Sequence, residues 1–275
     1  MRSYFLIFSS IIFFINYVSA SAQQDVRDVN DFNLYNTQVK LIYSQSVDDT
    51  FHIFISLPDE YNISDKLYPV LFVLDGDISY GIAAGIARYL EIGGNIPELI
   101  IVGIGYGAVD KSAGNKRNRD YRPDNSGGAE NFLKFISEEL IPFIDNNYKT
   151  EKDDRTIAGY SLGGLFALYS LFTEPEIFNK YVVGSPYLLP ENFIIFDYEE
   201  QASSTLSEVS AKAFISVGSE ASEEKYFNPI DELVTVIQER DYPNLKLETK
   251  VFDGSDHLVG PPEVITHGLI SVFSE

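Results

Sequence analysis

The chain has 275 residues, a formal net charge of −21, 45% apolar and 22% charged side chains, and neither cysteine nor tryptophan. So acidic a surface repels nucleic acid and anionic lipid, and the missing cysteines exclude disulfides, thiolate metal sites and a cysteine nucleophile. The 20 Phe and 18 Tyr are too many for a disordered chain.

Arg2 precedes an apolar and aromatic run from Tyr4 to Tyr17, which ends at Ala20-Ser21-Ala22 before the polar Gln23 and Gln24. This order predicts a secretory signal peptide over residues 1–22, cleaved after Ala20 or after Ala22. The apolar run is shorter than the roughly 20 residues that span a bilayer. The expectation is a periplasmic or secreted protein, not inserted in a membrane once processed. No repeat or linker interrupts residues 23–275, which read as a single domain.

Val39–Ser44 and Phe51–Leu57 are short β-prone runs joined by a polar turn at Ser46–Thr50, the pattern of a hairpin. Tyr68–Leu74 and Leu99–Ile104 are unbroken apolar runs, which suit strands buried on both faces of a parallel sheet. Ile82–Ile92 between them reads as a helix. Asn131–Tyr148 reads as another, with Phe132, Phe135, Ile136, Leu140, Ile141 and Ile144 at helical spacing and a kink or break at Pro142. Thr156–Tyr160, Tyr181–Val183, Ala213–Val217 and Leu245–Phe252 read as strands. Leu162–Phe172, Ile230–Glu239 and Pro262–Phe273 read as helices. The alternation predicts a three-layer α/β sandwich: a mostly parallel central sheet, an antiparallel N-terminal hairpin and helices on both faces. Ligands in such sheets sit at the carboxyl ends of the strands.

Gly159-Tyr160-Ser161-Leu162-Gly163 falls where a strand gives way to a helix and matches G-x-S-x-G. In the α/β-hydrolase fold this pattern holds a nucleophilic serine on a sharp, strained turn. A serine hydroxyl needs a neighbouring base, and the chain has three histidines. His52 lies in the early hairpin, far from the expected active edge, and His267 reads as a surface residue of the last helix. His257 follows the Leu245–Phe252 strand, where the base of a Ser…acid…His order belongs. The third member is expected on the loop after Ala213–Val217. Glu220 is nearest the strand end, with Glu223 and Glu224 as alternatives and a serine–histidine dyad as another. Backbone N–H groups of Leu162 and of Gly76 or Asp77 are the candidate oxyanion donors.

With these residues in place the chain resembles the "putative esterase" family of α/β hydrolases, which includes esterase D, the antigen 85 mycolyltransferases, feruloyl esterases and siderophore esterases. The matching segments are Tyr68 through Gly76, Arg117-Asn118-Arg119-Asp120-Tyr121-Arg122-Pro123, Gly127-Gly128-Ala129, Glu139 through Asp145, Ala158 through Leu168, and Ser185-Pro186. The R-x-R-D-Y-x-P stretch is similar to that of the exported branch related to enterobactin-type siderophore esterases. The resemblance implies hydrolysis of a small or medium acyl ester through an acyl-enzyme, without a metal or organic cofactor. At Ser185-Pro186-Tyr187 many relatives carry a second serine and then tryptophan, so pocket specificity does not carry over.

Lys111, Lys116, Arg117, Arg119 and Arg122 place five of the twenty cations within twelve residues. Two readings are open. Arg117, Arg119 and Tyr121 border the cleft and attract an anionic ester such as a siderophore, or the stretch is a loop whose charges pair with Asp110, Asp120 and Asp124. At the level of function the alternatives to an esterase are a non-catalytic binding protein on the same scaffold, or an acyltransferase or peptidase with the same triad.

Overall fold

In the computed structural model the described residues are 34, 36–189 and 193–274, without the side chains of 111–115. The signal-peptide reading of residues 1–22 lies outside them. Two strands, β1 (Thr37–Ser44) and β2 (Asp49–Ser56), make the expected hairpin. Its turn is fixed from a distance: Gln45 and Ser46 donate their N–H groups to the Glu139 carboxylate at 3.1 and 2.9 Å.

The other strands are β3 (Tyr68–Val73), β4 (Ile100–Gly105), β5 (Thr150–Tyr160), β6 (Lys180–Gly184), β7 (Ala211–Gly218) and β8 (Leu245–Phe252). Together the eight form one sheet in the order β1-β2-β4-β3-β5-β6-β7-β8. β2 runs against both its neighbours, and β4 through β8 pair in parallel. Every residue of β3, β4 and β6 is buried; the unbroken apolar sequences of β3 and β4 require it, and Lys180 at the start of β6 is paired with Asp154. Pro69 sits inside β3 although it cannot donate to a ladder. The pairing accommodates it with a register shift: Tyr68 faces Thr150 and Val70 faces Arg155.

Helices cover both faces, which makes this the expected three-layer α/β sandwich. α1 (Gly76–Ile92) packs on one face with α8 (Pro261–Phe273), over a core that includes Leu71, Val73, Ala83, Leu99, Phe214 and Leu269. The opposite face carries α2 (Lys111–Tyr121), α3 (Ala129–Lys134), α4 (Ile141–Asn147), α5 (Leu162–Thr173), α6 (Ile194–Leu206) and α7 (Asn228–Arg240). α5 is buried from Leu162 to Phe172, so an apolar surface all round is what its place demands.

The break expected at Pro142 takes a specific form. Between α3 and α4 the chain makes a π-helical turn, Phe135–Leu140, in which the Ile141 N–H donates to Ile136 O, five residues back. The turn lies just ahead of Pro142, whose ring nitrogen has no hydrogen for the regular ladder.

Two helices escaped the sequence reading. α6 faces the core with Ile195, Glu199, Ala202 and Leu206. The glutamate interrupts the apolar stripe, and burial is satisfied by the Tyr242 hydroxyl at 2.5 Å and Arg240 at 3.4 Å. α2 has no apolar periodicity at all, and its ion pairs take part in the site.

Candidate active site

The carboxyl ends of β3, β5 and β6 each turn through a non-glycine residue at positive φ: Asp75 at 53°, Ser161 at 57° and Ser185 at 37°. Such conformations cost on the order of 1–3 kcal/mol each and persist where the surroundings over-determine them. At Ser161 those surroundings are visible. Its N–H donates to Gly184 O at 2.9 Å, and its carbonyl accepts from Tyr187 N at 3.0 Å and Leu165 N at 3.0 Å. A Cβ on Gly159 would stand 2.2 Å from Gly163 O, so only glycine lets the strand turn this closely into α5.

This turn lifts Ser161 Oγ to 3.0 Å from His257 Nε2, an ordinary hydrogen-bond length. The two residues are 96 positions apart in the chain, and the sheet order brings their loops together. Burial, and next the positive charge of Arg117, hold the His257 imidazole below the usual histidine range, against the smaller pull of Asp256. The ring is therefore neutral and able to accept a proton at neutral pH.

Among the described residues no carboxylate completes the pair. His257 Nδ1 is buried and has no hydrogen-bond partner. Glu220 does lie against the histidine loop, since its backbone N–H donates to Ser255 O at 3.0 Å. Its side chain is exposed, as are those of Glu223 and Glu224. The expected acid is thus adjacent in the backbone but is not on the imidazole, and the structure presents a dyad. Side-chain aim, which loop position does not fix, decides the difference.

The expected oxyanion donors occupy two helix starts. Leu162 opens α5, and Gly76 and Asp77 open α1, where the first N–H groups have no acceptor inside their helix. The two starts touch: a Cβ on Gly163 would lie 3.3 Å from Asp75 Oδ2 and 3.5 Å from Leu74. The Asp77 side chain anchors the neighbouring loop by accepting from Tyr106 N at 2.5 Å and Gly107 N at 2.9 Å.

The cationic stretch is α2 and the residue after it rather than a loop, and its described cations are paired. Arg117 grips Asp75 through two hydrogen bonds of 2.6 and 3.1 Å and donates to Tyr160 O at 3.2 Å. Arg119 holds Asp120 at 2.6 and 2.9 Å and Asp49 at 3.1 Å. Lys116 also reaches Asp49, and Arg122 reaches Asp124. Tyr121 has no exposed surface; its hydroxyl accepts from Asp75 N at 3.0 Å. Of the three residues expected to meet substrate, Arg117 lines a cavity with Asp75 and Tyr160, the residue before the serine, whereas Tyr121 holds the Asp75 backbone and Arg119 is engaged with Asp120 and Asp49. Charges already neutralised by Asp75, Asp120, Asp49 and Asp124 leave little field to draw in an anion.

That cavity, about 240 Å³, is lined by the apolar Ile78, Ala108 and Val109 and by the charged Asp75, Arg117 and Asp110. A larger hollow of about 370 Å³ lies at the other end of the sheet, beside Leu57, Tyr89 and Leu99, away from the serine.

The other histidines separate. His267 is exposed on α8, 3.2 Å from Lys250 Nζ. His52, expected far from this edge, pairs across β2 and β4 with Gly105, the last residue of β4. Because β2 is reversed, its beginning lies at the carboxyl edge.

The family model described as "Putative esterase" matches residues 44–256. Ferri-bacillibactin esterase BesA of Bacillus subtilis is 37% identical over 179 residues, 57% of this chain and 60% of that protein. The siderophore enterobactin esterase of Emericella nidulans is 28% identical over 165 residues, 50% of this chain and 54% of its own length. The match thus spans between half and two thirds of the length of these two curated relatives. The crystal structure of the BES protein from Bacillus cereus superposes with a TM-score of 0.83 at 28% identity, covering 91% of this chain and 99% of that one. Siderophore hydrolase EstA from Aspergillus nidulans gives 0.75 at 23% identity over 86% and 93% of the two chains, a likeness of fold.

Proposed function

Because this chain belongs to the Putative esterase family, we propose that it is a serine esterase that cleaves a small or medium acyl ester, such as a siderophore, through an acyl-enzyme on Ser161. The observation that carries the reading is the 3.0 Å hydrogen bond between Ser161 Oγ and His257 Nε2 on a strained strand-to-helix turn. His257 Nε2 takes the hydroxyl proton as Oγ attacks the ester carbonyl. The developing oxyanion meets the first N–H groups of α5 and α1. The imidazolium then returns its proton to the leaving alkoxide, and water repeats the sequence to release the acid.

The missing carboxylate bears on which bond is cleaved. A partner on Nδ1 stabilises the imidazolium, and its loss in a full triad costs about 10⁴-fold in kcat. An alkoxide leaves more readily than an amine, so a dyad suits esters better than peptides. The siderophore assignment draws on the names of the relatives, ferri-bacillibactin esterase and enterobactin esterase. The 240 Å³ cavity with its Ile78, Ala108 and Val109 wall suits one arm of such a substrate.

Ser161→Ala should lower turnover of p-nitrophenyl butyrate by at least about 10³-fold with the fold intact, and a fluorophosphonate should label the parent protein and not the variant. Unchanged turnover in the variant would refute the reading. Ferric and iron-free siderophore lactones, compared with simple aryl esters by kcat/KM, test the substrate class. Export is proposed on the sequence of residues 1–22. Mass spectrometry of secreted protein should find Ser21 or Gln23 as the first residue, and an intact Met1 would overturn it.

A further inference from the structure

An imidazole that serves as a base must be aimed and, once protonated, stabilised. A carboxylate on Nδ1 normally does both. Among the described residues His257 has none, yet its Nε2 stands at hydrogen-bond distance from the serine. Something else fixes the ring.

The loop backbone is pinned on both sides. Asp256 Oδ1 accepts from Leu258 N at 2.7 Å and Val259 N at 3.0 Å, and the Ser255 hydroxyl bonds to Glu263. These contacts fix where the side chain begins but not how the imidazole is turned. Its faces and edges meet two tyrosines. The Tyr226 ring stacks on it at 4.0 Å between centroids with 26° between planes, and Tyr160 lies tilted at 5.1 Å. Tyr160 belongs to the nucleophile turn. Tyr226 comes from a separate element, the π-helical turn Glu223–Phe227 between β7 and α7, on the same loop where the acid was expected.

Tyr226 is itself held. Its N–H donates to Ser222 O at 2.9 Å, and its ring meets Tyr187 at 5.8 Å. Tyr187 in turn donates its N–H to Ser161 O at 3.0 Å. A closed circuit therefore runs from the serine backbone through Tyr187 and Tyr226 to the imidazole and back to the serine hydroxyl.

We propose that Tyr226 is the positioning residue for His257, its ring face taking over the two tasks of the absent carboxylate. Stacking restricts rotation of the imidazole about its own axis. The electron-rich face also favours the imidazolium that forms as Ser161 attacks, a cation–π gain that exists only after proton transfer. It therefore lowers the barrier rather than strengthening substrate binding. The proposal rests on the serine–histidine reading of the site.

Two properties make it testable apart from that reading. In the parent protein at rest, the Hε1 proton of His257, assigned by its loss in His257→Gln, should resonate upfield of an ordinary imidazole because of the Tyr226 ring current. A normal shift in the parent overturns the stack without any turnover assay. In kinetics with p-nitrophenyl butyrate, Tyr226→Leu should lower kcat about tenfold and leave KM within about twofold. Tyr226→Phe, which keeps the ring, should restore both kcat and the upfield shift. Equal losses in the Phe and Leu variants, a rise in KM at constant kcat, or wild-type kcat in Tyr226→Leu would each overturn it. Ser161→Ala separates the two ideas: if it is as active as the parent the esterase reading fails, and if it is inactive while Tyr226→Leu is normal the positioning role fails alone.

Discussion

The serine and the histidine sides of this site are built by different means. Ser161 is placed by backbone: a positive φ, glycine at 159 where a Cβ would strike Gly163 O, and N–H and carbonyl bonds to β6 and the loop after it. His257 is placed by side-chain packing, between tyrosines from two distant segments and without a carboxylate among the described residues. Backbone placement is rigid and fails outright when disturbed. Packing degrades by degrees.

The contrast sets the order of expected effects. Gly159→Ala attacks the serine side where there is no room to give, and should destabilise the fold by several kcal/mol while abolishing esterase turnover. Urea unfolding and kcat/KM would read both, and near-parental values would mean that the turn can relax. Next comes Arg117→Met, which leaves the mostly buried Asp75 without its bidentate partner. Breaking such a pair costs about 3–5 kcal/mol; partial exposure of both side chains puts the expected loss near 3 kcal/mol or below. The Arg117 bond to Tyr160 O would go as well, loosening the serine turn from the start of α1.

On the histidine side the effects are smaller. Burial and the Arg117 charge disfavour the imidazolium, so the folded pKa of His257 lies below its ordinary value of about 6.5. The base form then persists as pH falls, and kcat/KM should decline only below that ordinary value. A half-maximal point above 6.5 would contradict the neutral, desolvated ring. The smallest effect is expected at Glu220, whose exposed carboxylate makes no bond to His257. Glu220→Gln should leave kcat/KM within about twofold, whereas a loss of 10³-fold or more would restore it as the triad acid.

Much of the fold was legible in the sequence because its signals are local. Unbroken apolar runs identify β3 and β4, and the Gly-x-Ser-x-Gly turn marks the passage from β5 to α5. α6 and α2 were hidden for opposite reasons. α6 buries a glutamate that finds partners 41 and 43 residues on, and α2 owes its place to ion pairs with Asp49 and Asp75, 42 or more residues back along the chain. His52 was misplaced because only the register of β2 against β4 shows which edge its beginning reaches.

The amino-acid sequence by itself determined the strand–helix alternation, the nucleophile turn and the histidine after the last strand, since each is written in neighbouring residues and their backbone preferences. The tertiary structure alone decided what surrounds the imidazole and where the cations of α2 are spent. Both depend on side chains that meet across the sheet edge, and no local pattern records which way a glutamate at 220 or a tyrosine at 226 will point.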